Sequence, residues 1–249
     1  MLRPVLPLAI LALGVTGTLI HAATPALAAL GPVADIEWSY RAAPEPHLRV
    51  IHDGMNSTFD ADELPEVMDA LAAASPRSPG EAVSFSLARE AGALACSGVA
   101  TGRTTAAGTC RFDPSGAFVA GLTERGLRPE DGDELLALAL VDARMASVDA
   151  LSRAGFNIEE AQDLIAVAAL EVSAQYAAEL RGAGLVIDEL EDLIAARALD
   201  LDAEWLEGMA AAGYPNLTVN RAIAMRALDV TPEYARRMKQ VVAALGEPM

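Results

Sequence analysis

Residues that carry chemistry are scarce in this 249-residue chain. Histidine occurs three times, cysteine twice and lysine once, as Lys239; every other basic residue is arginine. HExxH, GxSxG, CxxC and a glycine-rich phosphate loop are all missing. Those absences remove the signatures of zinc peptidases, serine hydrolases, dithiol oxidoreductases and nucleotide-binding folds. The sequence therefore offers no catalytic set, no metal-ligand set and no cofactor motif. Aromatic residues make up 4 % of the chain although 53 % is hydrophobic. An alanine-rich apolar fraction of that kind suits closely packed helices better than a large β-sandwich.

Basic residues are also few, 18 against 35 acidic, for a formal charge of −17. A field of that sign repels phosphate backbones and anionic lipid, so nucleic acid is not an expected partner. Asp, Glu, Lys and Arg are absent altogether from Pro4 to Ala34. One cation, Arg3, precedes this apolar run, and Ala26-Leu27-Ala28 fits an A-x-A cleavage pattern. Residues 1–28 thus read as a secretory signal peptide. The rival reading is an uncleaved anchor, since roughly 20 apolar residues suffice to span a bilayer. Only in that case is the membrane a partner. The expected location is periplasmic or secreted.

In an exported chain, an even number of cysteines points to a disulfide. The stretch "GALACSGVATGRTTAAGTCRF" reads as two strands about a Gly102-Arg103-Thr104 turn. Folding it there sets Leu94 opposite Phe112, Cys96 opposite Cys110 and Gly98 opposite Gly108. Directly opposed residues in an antiparallel ladder have Cα atoms about 4.5–5.5 Å apart, within reach of a disulfide. The wider region 35–114 reads as a β-rich module. "IEWSYR", "HLRVIH" and the alternating "VSFSLARE" are its strand candidates, and "DADELPEVMDALAAA" is its helix. His47 and His52 are spaced to fall on opposite faces of one strand, which argues against a metal pair. "DGMNSTFDADEL" gathers Asp53, Asn56, Asp60, Asp62 and Glu63 without the order of an EF-hand, and reads as a solvated loop before the helix.

Residues 115–249 say one thing several times. "ALEVSAQYAAEL" (169–180), "ALDLDAEWLEGM" (198–209) and "ALDVTPEYARRM" (227–238) recur at a 29-residue interval. In this register Gly126, Gly155, Gly184 and Gly213 share a column, each followed by an apolar residue, the mark of a Schellman helix end. Ser173, Asp202 and Thr231 share a column that suits an N-cap. The second helix of each unit carries an apolar stripe: Tyr176 and Leu180, then Trp205 and Met209, then Tyr234 and Met238. These are the expected repeat core. Short helix pairs bury such stripes only by stacking. The fold class that follows is α+β, mostly α: a small β-rich N-terminal module, then an αα-solenoid of 29-residue repeats with four full pairs and a leading half.

One column draws a functional reading. Asp142, Glu171, Asp200 and Asp229 repeat a negative charge at one position, an acidic ladder that would meet a basic partner or a cation. The competing reading places each acid at a helix corner, tying down backbone donors. The expected function is a non-enzymatic interaction protein that offers its repeats to a protein or peptide. A carboxylate hydrolase using Asp60 and Asp62 is a weaker alternative.

Finally, "VSFSLAREAGALACSGVATGRTTAAGTCRFDPSGAFVAGL", with the later "ALDVTPEYARRMKQ" and "AAGYPNLTV", resembles exported bacterial proteins. Similar segments form the extracytoplasmic tails of membrane metallopeptidases of the beta-lactamase-regulator type. The resemblance covers residues 80–249 and implies a small β module followed by helical repeats. It also implies a second role, that of a sensory or regulatory ectodomain working with a membrane peptidase. The peptidase domain and its zinc motif are missing here, so no catalytic residue transfers.

Overall fold

The computed structural model describes residues 30–73 and 78–245 of the chain, so the segment read as a signal peptide lies outside the described residues. The fold is α+β. Strands β1 (Val33–Arg41), β2 (His47–His52), β3 (Met55–Asp60), β4 (Ala82–Arg89), β5 (Gly92–Ala100) and β6 (Thr105–Pro114) form one sheet. Its order is β3-β2-β1-β6-β5-β4, and every pairing is antiparallel. The β5–β6 register places Leu94 on Phe112, Cys96 on Cys110 and Gly98 on Gly108, as the sequence predicted. The cysteines are joined in a disulfide with Cα atoms 4.0 Å apart.

The "DGMNSTFD" stretch is a correction. It is not an open loop: Met55–Asp60 is β3, paired along its whole length with β2. Asp53 and Gly54 both have positive φ (42° and 89°), the backbone of a two-residue type I′ hairpin. The Asp-Gly dipeptide was itself the signal for that turn.

One face of the sheet is apolar. Trp38, Val50, Val83, Leu94, Cys96, Cys110 and Phe112 are buried there. Trp38 on β1 lies in register with Gly108 on β6, which faces Gly98 on β5. With no side chain on either glycine, the indole reaches across β6 and donates through Nε1 to the Ser97 carbonyl at 3.2 Å. Its ring then meets Phe85 of β4 edge-on, with centroids 5.0 Å apart. Helix α1 (Pro65–Ala73) packs beside β4 on this side.

After β6 come nine further helices among the described residues: α2 (Gly116–Glu124), α3 (Gly132–Leu140), α4 (Met145–Arg153), α5 (Ala161–Ala169), α6 (Ala174–Gly182), α7 (Leu190–Ala198), α8 (Ala203–Ala211), α9 (Val219–Ala227) and α10 (Pro232–Leu245). Ser173, Asp202 and Thr231 each accept a hydrogen bond from the amide three residues on, the N-cap geometry expected of that column. Contacts skip one helix: α2 meets α4, α3 meets α5, α4 meets α6, α6 meets α8, α7 meets α9 and α8 meets α10. Helix α3 also rests on β1, β5 and β6. Buried side chains run as one continuous cluster from Ile36 to Ala235, so sheet and helices share a core.

The paired glycines set how closely β5 and β6 approach. A Cβ added at Gly108 would collide with the Ser97 carbonyl oxygen, and one at Gly98 with the Ala107 carbonyl. Gly108→Ala is therefore expected to cost about 1–3 kcal/mol through strand displacement and loss of the Trp38 shelf. Thermal unfolding followed by circular dichroism measures it; an unchanged midpoint would mean that the two strands need no such closeness.

Candidate functional site

The acidic column was the leading candidate, and its backbone decides how it is read. Asp142, Glu171, Asp200 and Asp229 all have positive φ, between 50° and 53°. Each stands just past the end of α3, α5, α7 or α9. The residue after each acid closes the helix: the amides of Ala143, Val172, Leu201 and Val230 donate five residues back, to Leu138, Val167, Ala196 and Met225. This is the Schellman bond. The glycine column does the same for the alternate helices, with Leu127, Phe156, Leu185 and Tyr214 bonded to Leu122, Leu151, Leu180 and Met209. Eight helix ends thus share one geometry, four on glycine and four on an acid.

Left-handed backbone disfavours most L-residues by roughly 1–2 kcal/mol, and Asp is among the few that enter it readily. That preference accounts for three of the four acids without any ligand; Glu171 is the least suited member. Among the described residues, none of the four carboxylates accepts from a backbone N–H, so they do not cap neighbouring donors. Asp142 is half-buried between Arg144, at 2.5 Å, and Arg89 of β4, at 3.5 Å. The Asp142 hydrogen bond raises the Arg144 pKa above its ordinary value. Glu171, Asp200 and Asp229 are exposed.

Cations from the following unit close the remaining helix-end carbonyls, and the sequence reading missed them. Arg181 donates to the Ala154 carbonyl at 2.9 Å, Arg197 to Leu170 at 2.9 Å, Arg226 to Asp200 at 3.1 Å and Lys239 to Gly213 at 3.2 Å. Each reaches back 26 or 27 residues. Positive charge at a helix C-terminus also meets the negative end of its dipole. Arg181 lies over the Phe156 ring, Arg197 over Tyr176 and Lys239 over Tyr214. The available signal was the 29-residue spacing of Arg197 and Arg226, and the doubled spacing of Arg181 and Lys239.

The aromatic column divides. Tyr176, Leu180, Trp205 and Met209 are buried. The Tyr176 hydroxyl donates to the Leu201 carbonyl at 2.6 Å, and Trp205 Nε1 to the Val230 carbonyl at 2.9 Å, each reaching 25 residues ahead. Tyr234 and Met238, expected in the core, are instead 47 % and 42 % exposed. No described residue stands 25 positions beyond Tyr234, and no described helix covers that side of α10. Val242 takes the place of the column glycine, so α10 runs on for 14 residues where the other repeat helices stop at nine. Val241 and Val242 extend the exposed stripe.

Elsewhere the candidate groups stand apart. His52 meets Asp133 at 3.2 Å, and His47 meets the Glu45 carbonyl at 3.0 Å. Asp60 ends β3 and Asp62 lies in the turn after it, both exposed. Among the described residues no group of three or more His, Cys, Asp and Glu side chains is placed to hold a metal ion. No helix of the described residues is long and apolar enough to cross a membrane. No family model, curated protein or solved structure matches the chain, so the resemblance noted in the sequence brings no residue roles with it.

Two outcomes are expected. If backbone conformation sets the acidic column, Asp200→Gly and Asp200→Asn should leave thermal stability nearly unchanged, whereas Asp200→Val should cost about 1–2 kcal/mol. Equal losses for all three would point to the carboxylate instead. Burial pushes the Tyr176 hydroxyl up to about 12, above its ordinary 10.0. The neutral form is the one the fold favours, so this contribution is complete below pH 10 and lost as pH rises through about 12. Alkaline unfolding should therefore steepen in that interval and flatten in Tyr176→Phe. A pH profile identical in the two proteins would remove Tyr176 from the account.

Proposed function

We propose that this is an exported, non-enzymatic interaction protein whose helical half is an αα-solenoid of 29-residue units. The disulfide supports an oxidising compartment. The observation that carries the reading is the uncovered stripe of Tyr234, Met238, Val241 and Val242 on α10. In the two preceding units the positions of Tyr234 and Met238 are held by Tyr176 and Leu180 and by Trp205 and Met209, all buried. Contiguous exposed apolar surface of that kind marks a protein contact. The partner is a protein that offers α10 an apolar helical face.

A photoreactive amino acid at position 234 or 238, introduced into the protein in its native host, tests this. Irradiation should give one discrete cross-linked species from each, absent when the probe replaces exposed Arg153 on α4. Smears or no product at 234 and 238, with full-length protein present, would remove α10 as the contact.

A further inference from the structure

A second surface is built differently, and its chemistry lies in the backbone. β4 is the last strand of the sheet. Beside it runs a groove with a cavity volume of about 570 Å³, walled on its far side by the first turns of α1. Phe85, Ser86, Leu87, Ala88 and Arg89 line it consecutively, so the strand's edge, and not one face of it, forms the near wall.

The register says which backbone groups point into this space. β4 and β5 are joined by the two residues Glu90 and Ala91, with Arg89 paired to Gly92. A two-residue hairpin makes that flanking pair hydrogen-bonded, and the type alternates along the ladder. Leu87 and Phe85 therefore bond to β5, while Ser84, Ser86 and Ala88 turn their N–H and C=O groups outward. The disulfide agrees with this phase. Phe85 pairs with Cys96 across a hydrogen-bonded site, which leaves Cys96 and Cys110 at a non-hydrogen-bonded site, the closer kind. Their 4.0 Å Cα separation fits. Among the described residues nothing bonds to the outward groups of Ser84, Ser86 or Ala88.

We infer that this groove takes an extended peptide segment of a partner protein, added to β4 as a seventh strand. Alternate apolar side chains of the segment enter between β4 and α1, against Phe85, Val67 and Ala70. Its chemistry is basic as well as apolar. Glu63, just before α1, and Glu66 in its first turn are exposed in the lining, the lining cation Arg89 faces Asp142 at 3.5 Å, and the whole chain carries −17. Lysine or arginine side chains in the segment complement that charge. A second copy of this chain, itself carrying −17, lacks that complementary charge.

The probe is a fluorescent peptide, Lys-Val-Lys-Val-Ser-Val-Lys, acetylated and amidated, titrated with the full disulfide-bonded protein by anisotropy. Ser86→Pro removes one outward N–H and leaves the β5 ladder intact, a substitution that edge strands tolerate. It should weaken binding at least about tenfold, while Ser86→Ala, which keeps the N–H, should not. Methylating alternate backbone amides of the peptide should cause a similar loss, and this arm stands even if Ser86→Pro fails to fold. Replacing lysine by glutamate in the peptide should also weaken binding. Several results would overturn the proposal. They are no binding by the wild type up to about 1 mM, equal binding of the methylated peptide, equal binding of the glutamate peptide, and a dimer in sedimentation that Ser86→Pro dissolves. The last would put a second copy on the edge.

Discussion

The helical half of this protein depends on stopping each helix after nine residues. A helix leaves its last carbonyls without partners, and the chain must turn at once for the next helix to pack against those already formed. The solution is the same at eight ends: one residue in left-handed backbone, then an amide bonded five residues back. The residue after the turn is apolar and inserts, so termination and packing are one event. Because every helix stops in step, a side chain of one unit finds a fixed carbonyl in the next. Tyr176 and Trp205 bond to carbonyls at the same distance along the chain because of this regularity. Where the glycine is lost, at Val242, the helix runs on to Leu245.

The sheet obeys a comparable constraint of closeness. Gly98 faces Gly108 next to the disulfide-bonded pair Cys96 and Cys110. Removing side chains at one pair and joining them at the next lets β5 and β6 approach, and the gap on the face is filled by Trp38 from β1. Its indole bridges to Phe85 on β4, tying four strands by one side chain. The edge at β4 stays open on its other side, where α1 stands off by the width of a groove.

How far the sequence was legible depended on the range of the interaction. The β5–β6 register could be read from a short turn and the alternation around it, because both strands adjoin it. The helix pairs could be read from recurrence of glycine and apolar positions. β3 was missed although Asp53-Gly54 announces a hairpin, because the acids around it suggested a loop. The acidic column is visible in the sequence, but neither an acidic ladder nor a corner tie on backbone donors names its common property, the sign of φ. Arg181, Arg197, Arg226 and Lys239 escaped notice because each carbonyl they reach is 26 or 27 residues away and any residue could supply it. Tyr234 and Met238 were placed in the core because a column records what a residue resembles, not what covers it.

The two kinds of helix end are not equivalent, and the difference explains the cations. Glycine at the turn is neutral. An acid there sets a negative charge against the negative end of the helix dipole, an unfavourable pairing. Its gain over glycine is fewer conformations in the unfolded chain. A cation beside the acid offsets the repulsion, and three of the four acids have one. Arg144 and Arg89 flank Asp142, Arg197 approaches Glu171 at 3.8 Å, and Arg226 bonds the carbonyl of Asp200. For Glu171 and Asp200 the cation comes from the unit that follows. Asp229 belongs to the last described unit, and no described cation reaches it. Among the described residues, then, the unit whose Tyr234 and Met238 are uncovered is also the one whose acid lacks a counter-charge. By the same pattern its cation belongs on a helix packed against α9, as Arg226 of α9 serves Asp200 at the end of α7.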